Sequence, residues 1–99
     1  MAHEVVFAPE AQSDLLDIYD YIAARSAPAR ALGFTERLVS YCTSLAVFPE
    51  RGTRRDDLRP ELRIIGYRRR VTIAFHVTSD TVIIDRILYG GRDLPQALR

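Results

Sequence analysis

The 99-residue chain has no lysine, no asparagine and no tryptophan, and only one cysteine, one methionine and two histidines. The lone thiol of Cys42 cannot close an internal disulfide, so the fold must hold without covalent staples, and a reducing cytoplasm is the expected location. His3 and His76 stand far apart with no second His or Cys beside either, which argues against a metal centre; neither a metal nor a cofactor is expected. Apolar runs such as Val5-Val6-Phe7-Ala8 and Leu45-Ala46-Val47-Phe48 fall far short of the roughly 20 residues that cross a bilayer. The N-terminus also lacks a basic region leading into an apolar one, so neither a membrane span nor a secretion signal is expected. Five glycines and five prolines among 47% hydrophobic and 27% charged residues exclude collagenous, low-complexity and disordered chains. A chain of this length builds one core, and a single domain over residues 1–99 is expected.

Without lysine, all 14 basic residues are arginine, and they are unevenly placed. Residues 1–50 carry three arginines against seven acids, a formal −4, whereas residues 51–99 carry eleven against six, a formal +5. Arginine presents a planar, permanently charged fork that suits phosphate and carboxylate alike. The basic half therefore suits nucleic acid or an acidic protein equally. Arginine-rich codon usage would also account for the missing lysine, but not for the clustering.

Hydrophobic periodicity orders the chain. Residues 3–8 are β-branched and aromatic and read as a strand that Pro9 ends. Proline favours the first turn of a helix, and Ala11, Leu15, Ile18 and Ile22 then recur at helical spacing, predicting a helix over residues 9–24 with Asp14, Asp17 and Asp20 pointing largely away from its apolar stripe. Ser26-Ala27-Pro28 breaks it. A second helix carries Ala31, Phe34, Leu38, Cys42 and Leu45 and closes at Phe48-Pro49; Gly33 inside it suggests close packing on the first helix. Cys42 falls on the apolar stripe, where a buried, inert thiol is expected. Residues 53–60 read as a charged connection without period. Residues 62–67 form a strand, and residues 70–78 alternate with Val71, Ile73, Phe75 and Val77 on one face and Thr72, Ala74, His76 and Thr78 on the other. Residues 81–89 complete a hairpin, apolar on both faces but interrupted by Asp85 and Arg86, and a short tail follows Gly90-Gly91. The predicted fold class is α+β, in the order β-α-α-β-β-β, with a helical hairpin on one face of a mainly antiparallel sheet.

The chemistry is constrained by what accompanies the arginines. Gly90-Gly91 follows a strand, but only about eight residues follow it here, so a nucleotide-binding loop is not expected there. Metal-free RNA cleavage needs a base, an acid and cations around the phosphate. Cations abound in Arg54, Arg55, Arg59, Arg63, the run Arg68-Arg69-Arg70, Arg86 and Arg92, while His76, Tyr67 and Tyr89 are the candidates for proton transfer. The arginine run equally suits a solvated turn, salt bridges to the acidic helices or the carboxylates of a partner.

Five segments in order resemble one known family: F-x-P-E-A-x-x-D-L-x-x-I-x-x-Y-I at residues 7–22, L-x-x-F-P-E-R-G at residues 45–52, Leu62-Arg63, I-x-F-x-V at residues 73–77 and R-I-L-Y-G-G-R-D at residues 86–93. Together they are similar to the RelE/ParE superfamily of toxins from type II toxin–antitoxin systems. The resemblance covers nearly the whole chain and implies the same helical hairpin on an antiparallel sheet. Its RelE-like branch cleaves mRNA in the ribosome, and its ParE-like branch inhibits DNA gyrase. Thr72 stands where the cleaving branch has a strand arginine, and residues 94–99 hold no Tyr or His. The opening and closing motifs resemble ParE. The resemblance thus implies a non-enzymatic gyrase inhibitor, useful in plasmid stabilisation, whose target- or antitoxin-binding residues are Arg63, Arg68, Arg69, Arg70, Arg86 and Arg92. The alternative is a ribosome-dependent mRNA endonuclease using Arg63, Arg92, His76 and Tyr89. Either way it implies neutralisation by a cognate antitoxin, ParD-like in the ParE branch, within a hetero-oligomer, with DNA contacted only through the antitoxin.

Overall fold

Pro9 both ends the first strand and fills the first turn of the first helix, so strand and helix meet with no linker. In the computed structural model, which describes residues 2–91 and 93–98, β1 (Glu4–Phe7) runs directly into α1 (Pro9–Arg25). Pro28 opens α2 (Pro28–Thr43), with Ala27 in the N-cap position, and the helix tightens into one 3-10 turn at Ser44–Ala46. Three longer strands follow: β3 (Arg63–Tyr67), β4 (Val71–Val77) and β5 (Thr81–Tyr89).

Two short elements lie where no period was readable. β2 (Thr53–Arg54) pairs antiparallel with β3 inside the expected connection, and α3 (Leu94–Ala97) lies in the expected tail. Elements of two and four residues are too short to show a hydrophobic repeat. The sheet order is β1-β5-β4-β3-β2, antiparallel throughout except that β1 runs parallel to β5, with Glu4 opposite Thr81 and Phe7 opposite Ile84. This is the expected α+β architecture.

The helices pack on one face. Ala11, Ile18, Leu38, Cys42 and Leu45 meet Ile73, Phe75, Val82, Ile84 and Ile87 in a continuous buried cluster. Ala74 and Leu88 lie on the opposite face by register and are also buried, which explains why the last strand is apolar on both sides. Gly33 does not pack on α1 as expected: a side chain placed there would meet the Arg37 guanidinium at 3.2 Å, so the glycine leaves space for an arginine of its own helix.

A β-bulge organises the centre. Ala74 is opposite Arg86 but Phe75 is opposite Ile84, so Asp85 is an extra residue on β5. The bulge reverses the phase of the strand: Val82 and Ile84 face the helices before it, Ile87 and Tyr89 after it. It lies just beyond the point where β1 ends, Ala8 N–H making the last bond to Ile84 O at 2.9 Å. The Ile87 N–H then has no strand to pair with. Asp14 of α1 replaces the missing strand, accepting that N–H at 2.8 Å and a bidentate pair from Arg86, Nε at 2.8 Å and Nη2 at 2.9 Å. Asp14 is 3% exposed and sits on the buried stripe with Ala11 and Ile18, contrary to the expectation from the helical pattern. The period shows which face is buried but not that a buried position can hold a matched anion.

Removing one partner of a buried pair leaves the other charge stranded, which costs about 3–5 kcal/mol. Asp14→Asn should therefore lower unfolding stability in urea by about 3 kcal/mol. The double substitution Asp14→Leu with Arg86→Met should recover part of that loss, the remainder reflecting the unpaired Ile87 N–H at about 1–3 kcal/mol.

Candidate functional site

The arginines expected to form one surface divide into two groups. Several are occupied by acids. Arg54 and Arg55 chelate Asp56 and Asp57 two residues on, each through Nε and Nη2 at 2.8–3.0 Å. These fork contacts hold the Asp56 carboxyl down at about 2 and the Asp57 carboxyl below its usual value. Arg59 lies 3.9 Å from Asp85 and donates to Leu98 O. Arg86, expected at the contact surface, is committed to Asp14 and to the Ala97 carbonyl. The paired carboxylate raises its pKa further. Arg63 shares the helix-side face with Phe75; its side chain is 16% exposed and lies 3.9 Å from Glu50. Arg92 lies outside the described residues.

Arg68, Arg69 and Arg70 behave differently. They form the turn between β3 and β4, closed by Arg70 N–H donating to Tyr67 O at 3.2 Å. Arg68 and Arg69 hold φ angles of 51° and 60°, the left-handed pair of a type I′ turn, where Asn-Gly would be the low-strain choice. All three are exposed and, among the described residues, none makes a salt bridge to an acid. The sequence left a solvated turn and ion pairs to the helices as alternatives, and the turn is what forms.

Beside this turn lies an open groove of about 630 Å³. Ile22 of α1, Phe34 of α2 and Tyr89 of β5 supply apolar surface, and Arg30, Arg37 and Arg70 line it. Arg70 Nη1 is 3.4 Å from the Tyr89 hydroxyl, which raises the arginine pKa. The aromatic rings hold one another: Tyr89 lies 5.3 Å from Tyr21 and 6.1 Å from Phe34, and Phe34 lies 6.1 Å from Tyr67. Arg30 and Arg37 belong to the acidic half of the sequence and escaped sequence reasoning. Their spacing of seven, which places both on one side of a helix two turns apart, was the available signal.

The residues expected for RNA cleavage do not converge. Tyr89 faces the helices opposite Val71, whereas His76 lies on the other face, opposite Ile83 and five residues along β4. That is roughly 17 Å of strand. His76 Nδ1 instead meets Asp85 Oδ2 at 2.7 Å. Cys42 is fully buried, and burial pushes its thiol up to about 12, far from nucleophilic readiness. Phe48, expected with Pro49 to close the second helix, follows the 3-10 turn that ends at Ala46 and is 79% exposed with φ at 54°.

Comparison with known proteins adds three findings. The family model described as the ParE toxin of the type II toxin–antitoxin system, parDE, matches residues 5–94. No curated protein matches the chain. Among solved structures, a chain from the chromosomal ParDE toxin–antitoxin system of P. aeruginosa superposes with a TM-score of 0.78 at 23% identity, covering 90% of this chain and 97% of that one. At that identity the structural match carries the fold.

Two measurements test this description. Replacing Arg68 by Asn and Arg69 by Gly relieves the left-handed strain, and should raise stability by about 1 kcal/mol in denaturant titration. For Cys42, the raised native pKa means the thiol contributes stability fully below its ordinary value of 9.0, lost as pH rises towards about 12. Stability should thus fall more steeply above pH 9 in the wild type than in Cys42→Ala, and a thiol reagent should label Cys42 only at the rate of unfolding.

Proposed function

Because the chain belongs to the ParE toxin family and is the toxin component of a type II toxin–antitoxin system, we propose that it acts by inhibiting DNA gyrase and is silenced in a hetero-oligomer with a cognate ParD-like antitoxin. The observation that carries the gyrase reading is the arginine-tipped β3–β4 turn. Among the described residues, three adjacent guanidiniums, two of them on strained backbone, stand without acidic partners while most other arginines of the basic half are tied to carboxylates. A protein-facing role suits such a surface better than catalysis, because the tyrosine beside the turn, Tyr89, lies on the other face of the sheet from His76, five residues away along β4. Of the proposed contact residues, Arg68, Arg69 and Arg70 lead; Arg63 lies roughly 14 Å along β3 from the turn and contributes at its margin. Arg86 acts through the fold. Gyrase places the action in the cytoplasm, and contact with operator DNA falls to the antitoxin.

One observation favours a second reading. Asp85 orients His76 and lies 3.9 Å from Arg59, a grouping with the elements of base and cation. Under this reading the protein would cleave mRNA on the ribosome from the face opposite the helices.

The two readings separate in one pair of assays. Purified protein should inhibit gyrase supercoiling, with Arg68→Asn plus Arg69→Gly weakening inhibition by about tenfold despite its higher stability, as expected where strain is kept for function. Unchanged supercoiling together with codon-phased cuts in primer extension, lost in His76→Gln, would establish the second reading instead.

A further inference from the structure

The groove beside the β3–β4 turn gathers positive charge from two walls. Arg30 and Arg37 line it from α2 and Arg70 from the turn; among the described residues none of the three makes a salt bridge, and no acid lines the groove. Arg37 folds back along its own helix, with Nη1 3.2 Å from where a Cβ at Gly33 would stand, one turn earlier. The Tyr89 hydroxyl accepts from Arg70 Nη1 at 3.4 Å, which leaves its own proton to donate, and Ser26 adds a second hydroxyl to the lining. Every polar side chain among the described lining residues is therefore a donor.

We propose that this groove is a binding site for an oligophosphate, the linear chain of phosphoryl groups found in inorganic tripolyphosphate and in the tail of a nucleoside triphosphate. A lining of donors selects a ligand made of acceptors, and guanidinium forks bind phosphate oxygens through charge-assisted hydrogen bonds. The arrangement favours tetrahedral anions over planar ones. A carboxylate holds its two oxygens in one plane and fills one fork, whereas a phosphoryl group presents oxygens in several directions and can meet forks from α2 and from the turn together. A chain of phosphates spreads matching charge over three cations, which a single phosphate does not. The groove volume of about 630 Å³ is that of a small-ligand site. A nucleic-acid strand fits less well. Its bases would need free aromatic faces, but Tyr89, Phe34 and Tyr21 are already packed against one another. Its backbone would need a continuing track of free cations, whereas Arg54, Arg55, Arg59 and Arg63 lie beside acids. The inference goes beyond the gyrase and antitoxin readings and does not rest on them.

The test is titration calorimetry of the full chain with sodium tripolyphosphate in magnesium-free buffer at physiological ionic strength, where saturable binding is expected. Arg30→Gln, Arg37→Gln or Arg70→Gln should each weaken it by about threefold to tenfold. Arg54→Gln plus Arg55→Gln removes more charge, but at the other end of β3 from the turn, and should leave the affinity unchanged. Citrate and orthophosphate should each bind about tenfold more weakly than tripolyphosphate. Gly33→Ala separates binding from folding. Alanine favours the helix, so this variant should unfold no earlier than the wild type, yet bind about threefold more weakly because its methyl group crowds the Arg37 guanidinium. A parallel titration with ATP identifies the source of the phosphates. Affinity about tenfold above that of tripolyphosphate assigns the site to a nucleotide, and equal or lower affinity assigns it to the inorganic chain; either result supports an oligophosphate site. Four results would overturn the proposal: no saturable binding of tripolyphosphate, indifference to the three groove substitutions, a loss just as large in the Arg54 and Arg55 control, or citrate binding as tightly. Tighter binding of a single-stranded oligonucleotide of about ten nucleotides through the same three arginines would overturn it as well, in favour of nucleic acid.

Discussion

Asp14 is where the two layers of this fold are tied together. β1 is only four residues long and leaves the sheet at Ala8, so half of β5 has no neighbour on that side. A bare N–H there would cost as much as a lost hydrogen bond. Since Pro9 starts α1 at once, the second turn of the helix arrives where the strand stops, and its carboxylate takes the Ile87 N–H and the Arg86 fork. The bulge at Asp85 depends on the same contact, because it is Asp14 that anchors the strand just after the extra residue. With the bulge, Tyr89 turns towards Phe34 and Tyr21. Without it, alternation would send Tyr89 to the other face and Arg86 into the core. The wall of the arginine groove is therefore a consequence of one buried carboxylate more than 70 residues away in sequence.

The same chemistry recurs in the arginines. Three of the acid pairs, Arg54 with Asp56, Arg55 with Asp57 and Arg86 with Asp14, use two guanidinium nitrogens on two carboxylate oxygens. Lysine, a point donor, cannot reproduce that geometry. Whatever set the codon preference, arginine serves these positions in a way lysine would not. The exposed pairs at 54–57 add little stability, as surface pairs do, but they withdraw two cations from the available surface. Linear charge is thus a poor map of surface charge. The half with eleven arginines loses several to internal acids, while the half with three contributes two to the groove.

Local signals were legible and non-local ones were not. The periods of the two helices and the alternation of β4 follow from which faces are buried, and that pattern is written in residues 9–45 and 71–77. The helix-breaking role of Pro28 is equally local. By contrast, the burial of Asp14 depends on Arg86, and the convergence of Arg30 with Arg70 depends on how α2 crosses the sheet. The interruption of an apolar strand by Asp85-Arg86 was the visible trace of the bulge, but a polar pair in a strand has several explanations until its partners are known. The separation of His76 from Tyr89 shows the same limit. Both lie in strands, and one residue of phase decides the face.

Backbone strain separates the turn from the rest of the chain. Among the described residues, four non-glycine residues adopt positive φ: Phe48, Glu61, Arg68 and Arg69. Glu61 is compensated, since its N–H donates to Asp56 at 2.8 Å and Arg54 holds that carboxylate in place. The β3–β4 turn has no equivalent. Among the described residues Arg68 has only the Tyr67 ring, 5.6 Å from its guanidinium, and two consecutive left-handed arginines replace residues that would make the turn without strain. A turn serving only to join two strands gains nothing from this choice. One that must present adjacent cations to a partner does, because the same left-handed pair that costs folding energy holds the strands in register and the guanidiniums outside the sheet. Phe48 combines the same features, a bulky side chain at positive φ left almost wholly in water, two residues beyond the 3-10 turn. Where neither packing nor hydrogen bonding offsets the strain, the cost falls on positions that face outward, and those are the positions where contact with other molecules is decided.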